Sequence, residues 1–309
     1  MMVGHTALAF ALAAGVAAAV GLPRERALLF GAVAGAFAVV PDVDMGYAVV
    51  GLITILADGP TQFPEAFWET GNTVHRGITH SLLVGGLGAM LFGLSASHGR
   101  RRIAGVLGLA SLVAVTLGVL GGLRAGVVSL FVLAGGAVVV GARVGGLDAG
   151  ETAGAAFIGI LSHPFGDIFT GTVPHLLYPL DIHLLPKRVM LSADPTVHLL
   201  GTFGLELITV WLAMTVYLGL RGERVWGRIH RRAVLGAGYV GTLLALPPPT
   251  LSVSYHFVFS VLAVGLVGVV DLPTPELDTA RSKLSLVTTG LAAVTIAWLA
   301  YSAGYLIVG

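Results

Sequence analysis

IAGVLGLASLVAVTLGVL, residues 103–120, runs for eighteen positions without a charged side chain. A helical membrane crossing takes about 20 apolar residues, so this stretch reads as a transmembrane helix. Arg100, Arg101 and Arg102 stand before it, and a second apolar stretch follows at 125–142. Working outward, similar stretches occur at 6–22, 27–40, 81–96, 152–161, 197–220, 233–246, 253–270 and 284–308. The reading is an all-α polytopic membrane helix bundle of about ten spans, several of them short or broken. Residues 47–57 are apolar but too short to cross and read as a re-entrant or interfacial helix, followed by a polar loop to residue 74.

Composition agrees. Of 309 residues, 56% are hydrophobic and 11% charged, against roughly 25% charged in soluble domains. Mean hydropathy is +0.91. The formal net charge of +1 offers no basic surface for nucleic acid. The absence of cysteine removes thiolate nucleophiles and Cys-based zinc sites, so any metal falls to His, Asp or Glu, which suits zinc or manganese. No Lys or Arg precedes the first apolar stretch, so it reads as a retained helix rather than a cleaved signal.

Alternating crossings sort the loops into two sets. One holds Arg24, Arg26, Arg100, Arg101, Arg102, Arg143, Arg221, Arg224, Arg228, Arg231, Arg232, Arg281 and Lys283; the other holds only Arg76, Arg124, Lys187 and Arg188. The first set reads as cytoplasmic by the positive-inside rule. The second, extracytoplasmic side carries His5, Asp42, Asp44, His75, His80, His163 and Asp167. Separate segments thus bring imidazoles and carboxylates to one face, which predicts a shared metal site.

Each segment has an ordinary reading beside the metal one. His163 and Asp167 are one helical turn apart and can share a cation; they can also cap a helix. Pro164 fits a first helical position, which would put His163 at a helix start. His75 and His80 point about 140° apart on a regular helix. Either Gly77 breaks the segment, or one is a ligand and the other a base or supporting group. Thr79 or Ser81 can cap the next span. Arg76 can clamp an anionic oxygen such as phosphate, or snorkel to the interface. Asp42 and Asp44 offer one or both carboxylates from a turn after Pro41. His5 can also be a headgroup-level imidazole. His175, Asp181, His183 and His198 read as polar-loop residues. A bound cation would make hydroxide available near neutral pH and polarise a phosphoryl oxygen. His-Glu-x-x-His, Gly-x-Ser-x-Gly and Walker A sequences are absent.

Four strings occur in order: Gly4-His5, Pro41-Asp42-Val43-Asp44, His75-Arg76-Gly77-Ile78-Thr79-His80-Ser81 and Ser162-His163-Pro164-Phe165-Gly166-Asp167. Together they resemble the YdjM-like family of inner-membrane metal-dependent hydrolases, over roughly residues 1–200. That family is in turn similar to zinc-dependent phospholipase C and P1 nuclease. The resemblance implies that Asp42 or Asp44, one of His75 and His80, His163 and Asp167 hold one metal, and that His5 with Asp167 helps hold a second. The N-terminal Trp and later-helix ligands of phospholipase C have no counterpart, so one or two ions are implied rather than three.

The combined expectation is a hydrolase core at 1–200 and further membrane helices at 201–309. The metal ligands are His5, Asp42, Asp44, His75, His163 and Asp167, with His80 and Arg76 catalytic. The cofactor is a divalent metal, zinc by preference. The substrate is a phosphoester in a membrane lipid or lipid-linked molecule. The alternatives are an ion- or proton-coupled transporter using the same cluster, and a non-catalytic membrane scaffold.

Overall fold

The computed structural model describes residues 2–47, 75–269 and 283–308. The interfacial helix and polar loop expected at 47–74 therefore fall, but for residue 47, outside the described residues. All regular structure among them is helical. The chain divides into two compact units, Met1–Arg188 and Val189–Gly309.

Among the described residues, the first unit holds six α-helices: α1 Met2–Ala19, α2 Arg24–Phe37, α3 Leu82–Ala96, α4 Gly99–Leu120, α5 Gly122–Val144 and α6 Ala149–Asp167. Short 3-10 turns at Pro41–Tyr47 and Ile78–His80 join α2 towards α3. α1 is alanine-rich, the best helix former, and Ala7, Ala11, Ala14 and Ala17 are buried. Small side chains let it lie close on α2, where a Cβ on Gly31 would come 2.7 Å from the Ala14 Cβ. The core is built around Phe37, Phe92, Phe131 and Ile160, from α2, α3, α5 and α6.

α6 carries His163 and Asp167 of the predicted site, and it begins earlier than the sequence reading held. Asp148 and Glu151 form a reciprocal capping box: the Asp148 side chain accepts from the Glu151 amide, and Glu151 accepts from the Asp148 amide. That fixes the N-terminus. Pro164 consequently lies inside the helix rather than at its first position, and His163 and Asp167 belong to its last turns. Proline has no N–H to offer the carbonyl four residues back.

Gly159 sets how close α6 comes to α2. A Cβ there would overlap the Ala34 carbonyl oxygen and approach Phe37 Cβ to 2.7 Å. Gly159→Ala should therefore destabilise the unit by about 1–3 kcal/mol, as overpacking does, although alanine is the better helix former. Thermal unfolding of detergent-purified protein checks this, and an unchanged or raised midpoint would contradict it.

Helix direction places the charges. Arg24, Arg26, Arg100, Arg101, Arg102 and Arg143 lie at helix ends remote from the site, where Arg26 pairs bidentately with Glu151 at 2.5 and 2.6 Å. Arg76 and Arg124 lie at the other end, with His5, Asp42 and Asp167.

In the second unit, α7 Pro195–Leu220 and α9 Lys283–Val308 are the long helices; α8 Tyr255–Ala263 is short. Of the span expected at 233–246, the part to residue 244 belongs to Arg231–Leu244, which coils in the tighter 3-10 form, and the next expected span, 253–270, is split between α8 and a 3-10 turn, Val264–Gly268. His198, read with the loop, is inside α7 and buried, its Nδ1 accepting from the Leu191 amide at 3.1 Å.

Four described helices, α4, α5, α7 and α9, are long and apolar enough to cross a membrane; α1, α3 and the segment Tyr255–Gly268 are apolar but shorter. Leu107, Val115, Val119, Leu133 and Val140, on α4 and α5, are exposed. Apolar side chains outside the core are what a lipid-facing helix presents.

Candidate metal centre

Four side chains from three segments meet at one end of the first unit. Asp42 comes from the turn after α2, His80 from the turn before α3, and His163 and Asp167 from the last turns of α6. All four are buried, His80 and His163 completely. His163 Nε2 lies 3.1 Å from His80 Nε2, 3.3 Å from Asp42 Oδ1 and 3.5 Å from Asp167 Oδ2. His80 Nε2 lies 3.6 Å from Asp42 Oδ1 and 3.2 Å from Asp167 Oδ2.

The protons on the two rings can be assigned from their outer neighbours. His163 Nδ1 is 2.7 Å from the Ala38 carbonyl. A carbonyl only accepts, so Nδ1 carries the proton. His80 Nδ1 is 3.1 Å from Thr79 Oγ1, and Thr79 donates its single hydroxyl proton to Asp44 Oδ2 at 2.8 Å. Thr79 therefore accepts from His80, and that Nδ1 is protonated too. Both Nε2 atoms are then left as acceptors, aimed at each other and at two carboxylate oxygens. Asp167 Oδ2 is buried without a hydrogen-bond partner. Four converging acceptors repel unless a cation or protons lie among them.

Spacing and charge both fit a metal ion. Zinc binds imidazole nitrogen and carboxylate oxygen at about 2.0–2.2 Å in a tetrahedron, which sets donors about 3.3–3.6 Å apart. The observed separations of 3.1–3.6 Å straddle that range. Three carboxylates, Asp42, Asp44 and Asp167, face one guanidinium, Arg76. The excess matches one divalent cation. The group is positioned to hold a metal ion.

The remaining predicted residues surround this group. Asp44 turns away from it, with Oδ1 2.9 Å from His75 Nδ1 and Oδ2 on Thr79. His75 stands outside the four, its ring edge-on to His80 at 5.0 Å. The segment between them is no regular helix: Arg76 is left-handed at φ 62° and Ile78–His80 is a 3-10 turn, so two imidazoles five residues apart do converge. Asp44, His75 and His80 form a second potential ligand group. His5 Nε2 is 3.4 Å from Asp167 Oδ1, and its ring stacks obliquely on His163 at 4.0 Å. Gly166 makes room, since a Cβ there would run into the His5 ring. Ser81, not Thr79, caps α3, accepting from the Val84 amide at 3.3 Å.

Arg76 is fully engaged by the end of α6. One terminal nitrogen donates to Asp167 Oδ1 at 2.8 Å and Thr170 Oγ1 at 3.0 Å. The other reaches the carbonyls of Asp167 at 3.1 Å, Thr172 at 2.8 Å and Thr170, and Nε donates to His75 Nε2 at 3.4 Å. A cation on terminal carbonyls also suits the helix dipole. Sequence reasoning missed these carbonyl partners, along with Ala38 and the Thr79–Asp44 bond; only the adjacency of Thr79 to His80 carried a signal.

Burial opposes ionisation of Asp42, yet hydrogen bonds from the His163 and His80 imidazoles hold its carboxyl far below the usual carboxylate range. Burial likewise opposes protonation of His80, yet Asp167 and Asp42 raise it above the ordinary 6.5. Without a metal, protons occupy the place between the acceptors. A cation must displace them, since its ligands bind deprotonated. Cation affinity should thus rise with pH through neutrality, by up to about tenfold per pH unit for each proton displaced, and level off only above about 9, to which, against the opposing effect of burial, Asp167 and Asp42 raise His163. Zinc titrations in weakly binding buffers between pH 6 and 9 measure this; a flat profile would contradict it.

The comparison with curated proteins and the comparison with solved structures each returned no match. The family model described as YdjM inner membrane protein matches residues 1–269, past the limit of about 200 set by the motifs. Those residues reach into both units and include every residue of the candidate centre. The chain belongs to the YdjM family of inner membrane proteins.

Proposed function

We propose that His80, His163, Asp42 and Asp167 hold a divalent cation, zinc by preference, and that the protein hydrolyses a phosphoester in a lipid or lipid-linked substrate. The observation that carries this is the convergence of four buried acceptor atoms with both Nδ1 protons committed outward. All-N/O ligation at near-tetrahedral spacing favours zinc over the larger, oxygen-bound cations. With four protein ligands in place, the bound ion would need to accept a fifth ligand, and would then supply an acidified water and a Lewis acid for the phosphoryl oxygen.

The chain's own residues then take distinct parts. Ala38 and Thr79 orient the two ligand rings, as outer-shell acceptors do. Arg76 positions Asp167 rather than gripping the substrate, because its donors are spent on the α6 terminus. His75, at the less buried edge and aligned by Asp44, is the imidazole placed to take or give a proton. The geometry therefore favours exchanging the parts first read for His75 and His80. His5 steadies Asp167 from the far side.

Every member lies at a helix end or in a turn, so the group sits at one end of the unit. That supports a hydrolase open to one face over a transport path, which would use broken helices near the midplane. The remote arginines support an extracytoplasmic site.

The test is release of phosphate or headgroup from p-nitrophenyl phosphodiesters and glycerophospholipid vesicles by detergent-purified protein. Zinc-dependent turnover in the wild type, lost in Asp42→Asn, is the expected result. Absence of turnover with every divalent cation, in protein that binds zinc, would refute the hydrolase and leave the metal site standing.

A further inference from the structure

We propose that His175, Asp181 and His183 form a second, exchangeable site for a divalent transition-metal ion, distinct from the buried centre. The three lie on the segment following α6 within the first unit. Each offers a ligand atom within 4.8 Å of the other two. None belongs to the buried group or touches its members in the contacts described above.

Two further observations point to a ligand. His175 Nε2 is buried and has no hydrogen-bond partner. A buried polar atom left unpaired is costly, and natural structures rarely keep one without a reason. The His175 ring also stacks on His183 at 4.3 Å with the planes only 20° apart, while His183 Nδ1 is 3.7 Å from Asp181 Oδ1. Two imidazoles and a carboxylate thus gather on one loop.

The anchoring is asymmetric. The loop is tied to the start of α3: the Leu82 amide donates to the Leu176 carbonyl at 2.8 Å and the Ser81 hydroxyl to the Tyr178 carbonyl at 2.6 Å. His175 sits beside these anchors and is the fixed ligand. The side chains of His183 and Asp181 are 60% and 97% exposed, free to close on an ion. Two imidazoles with one carboxylate suit zinc, cobalt or nickel over calcium or magnesium. Three protein ligands leave a position for water, which makes the site exchangeable and weaker than the four-ligand centre. Ser81 directly follows His80, so occupancy would stiffen the segment that carries a buried ligand.

Zinc titration by calorimetry on the full-length, detergent-purified chain tests this. The wild type is expected to show a tight class and a second class at least about tenfold weaker, the difference of one ligand. His183→Ala, on the surface, should lose only the weak class, and Asp42→Asn only the tight one. Zinc should also slow trypsin cleavage after Lys187 and Arg188 in the wild type but not in His183→Ala. If His183→Ala and His175→Ala both titrate like the wild type, the proposal is overturned. A missing tight class with the weak class intact would refute the buried centre and leave this site standing.

Discussion

Asp167→Asn should abolish tight cation binding, weakening it by more than about 100-fold. Loss of an outer-shell partner alone typically costs 10–100-fold in metal affinity, and Asp167 is a central member of the group. Its Oδ2 lies within 3.5 Å of the Nε2 atoms of His80 and His163, and its Oδ1 takes Arg76 and His5. The amide keeps the shape, so α6 should survive, but it removes a negative charge and places N–H donors among acceptors. Zinc-dependent turnover should fall with the binding. Equilibrium dialysis against a zinc-buffered series reads the effect. Affinity within a factor of a few of the wild type would show that the carboxylate is no ligand.

Arg76→Ala is expected to have the largest effect on stability. The guanidinium and the Asp167 carboxylate are 9% and 4% exposed at 2.8 Å. Removing one partner of a buried pair costs about 3–5 kcal/mol, because the other charge is left uncompensated. Here the loss also frees the carbonyls of Asp167, Thr170 and Thr172. Lysine should restore little, since it has no planar fork to span these acceptors. The cost should be smaller with zinc present, because the ion supplies positive charge beside Asp167. Denaturation with and without zinc therefore separates the two accounts. An equal loss in both conditions would mean that the ion and Asp167 do not meet.

Much of the first unit was legible because lipid-compatible helices announce themselves by uninterrupted apolar stretches. The stretches at 103–120 and 125–142 lie within α4 and α5. Apolarity does not measure crossing, however. The same signal marks α3, with fifteen residues, and α4, with twenty-two. The reading of α6 failed at its start because Pro164 was weighed as an opening signal while Asp148 and Glu151, spaced as a capping box, went unweighed. Membership of the metal group was partly legible. His163 and Asp167 carry helical spacing, and chemistry picked out the histidine-rich string. Which imidazole of that string faces the group was not, because Arg76 turns left-handed and no spacing rule covers that. The part of Arg76 was hidden for a similar reason: its main partners are backbone carbonyls, which look the same at every residue.

The central claim is that two imidazoles and two carboxylates share one ion. X-ray absorption of protein loaded with one equivalent of zinc tests it most directly. A four-coordinate nitrogen/oxygen shell at about 2.0–2.1 Å is expected, with outer-shell scattering from two imidazole rings that drops to one in His163→Ala. A six-coordinate, water-like shell without imidazole scattering, or a spectrum that His163→Ala leaves unchanged, would contradict it.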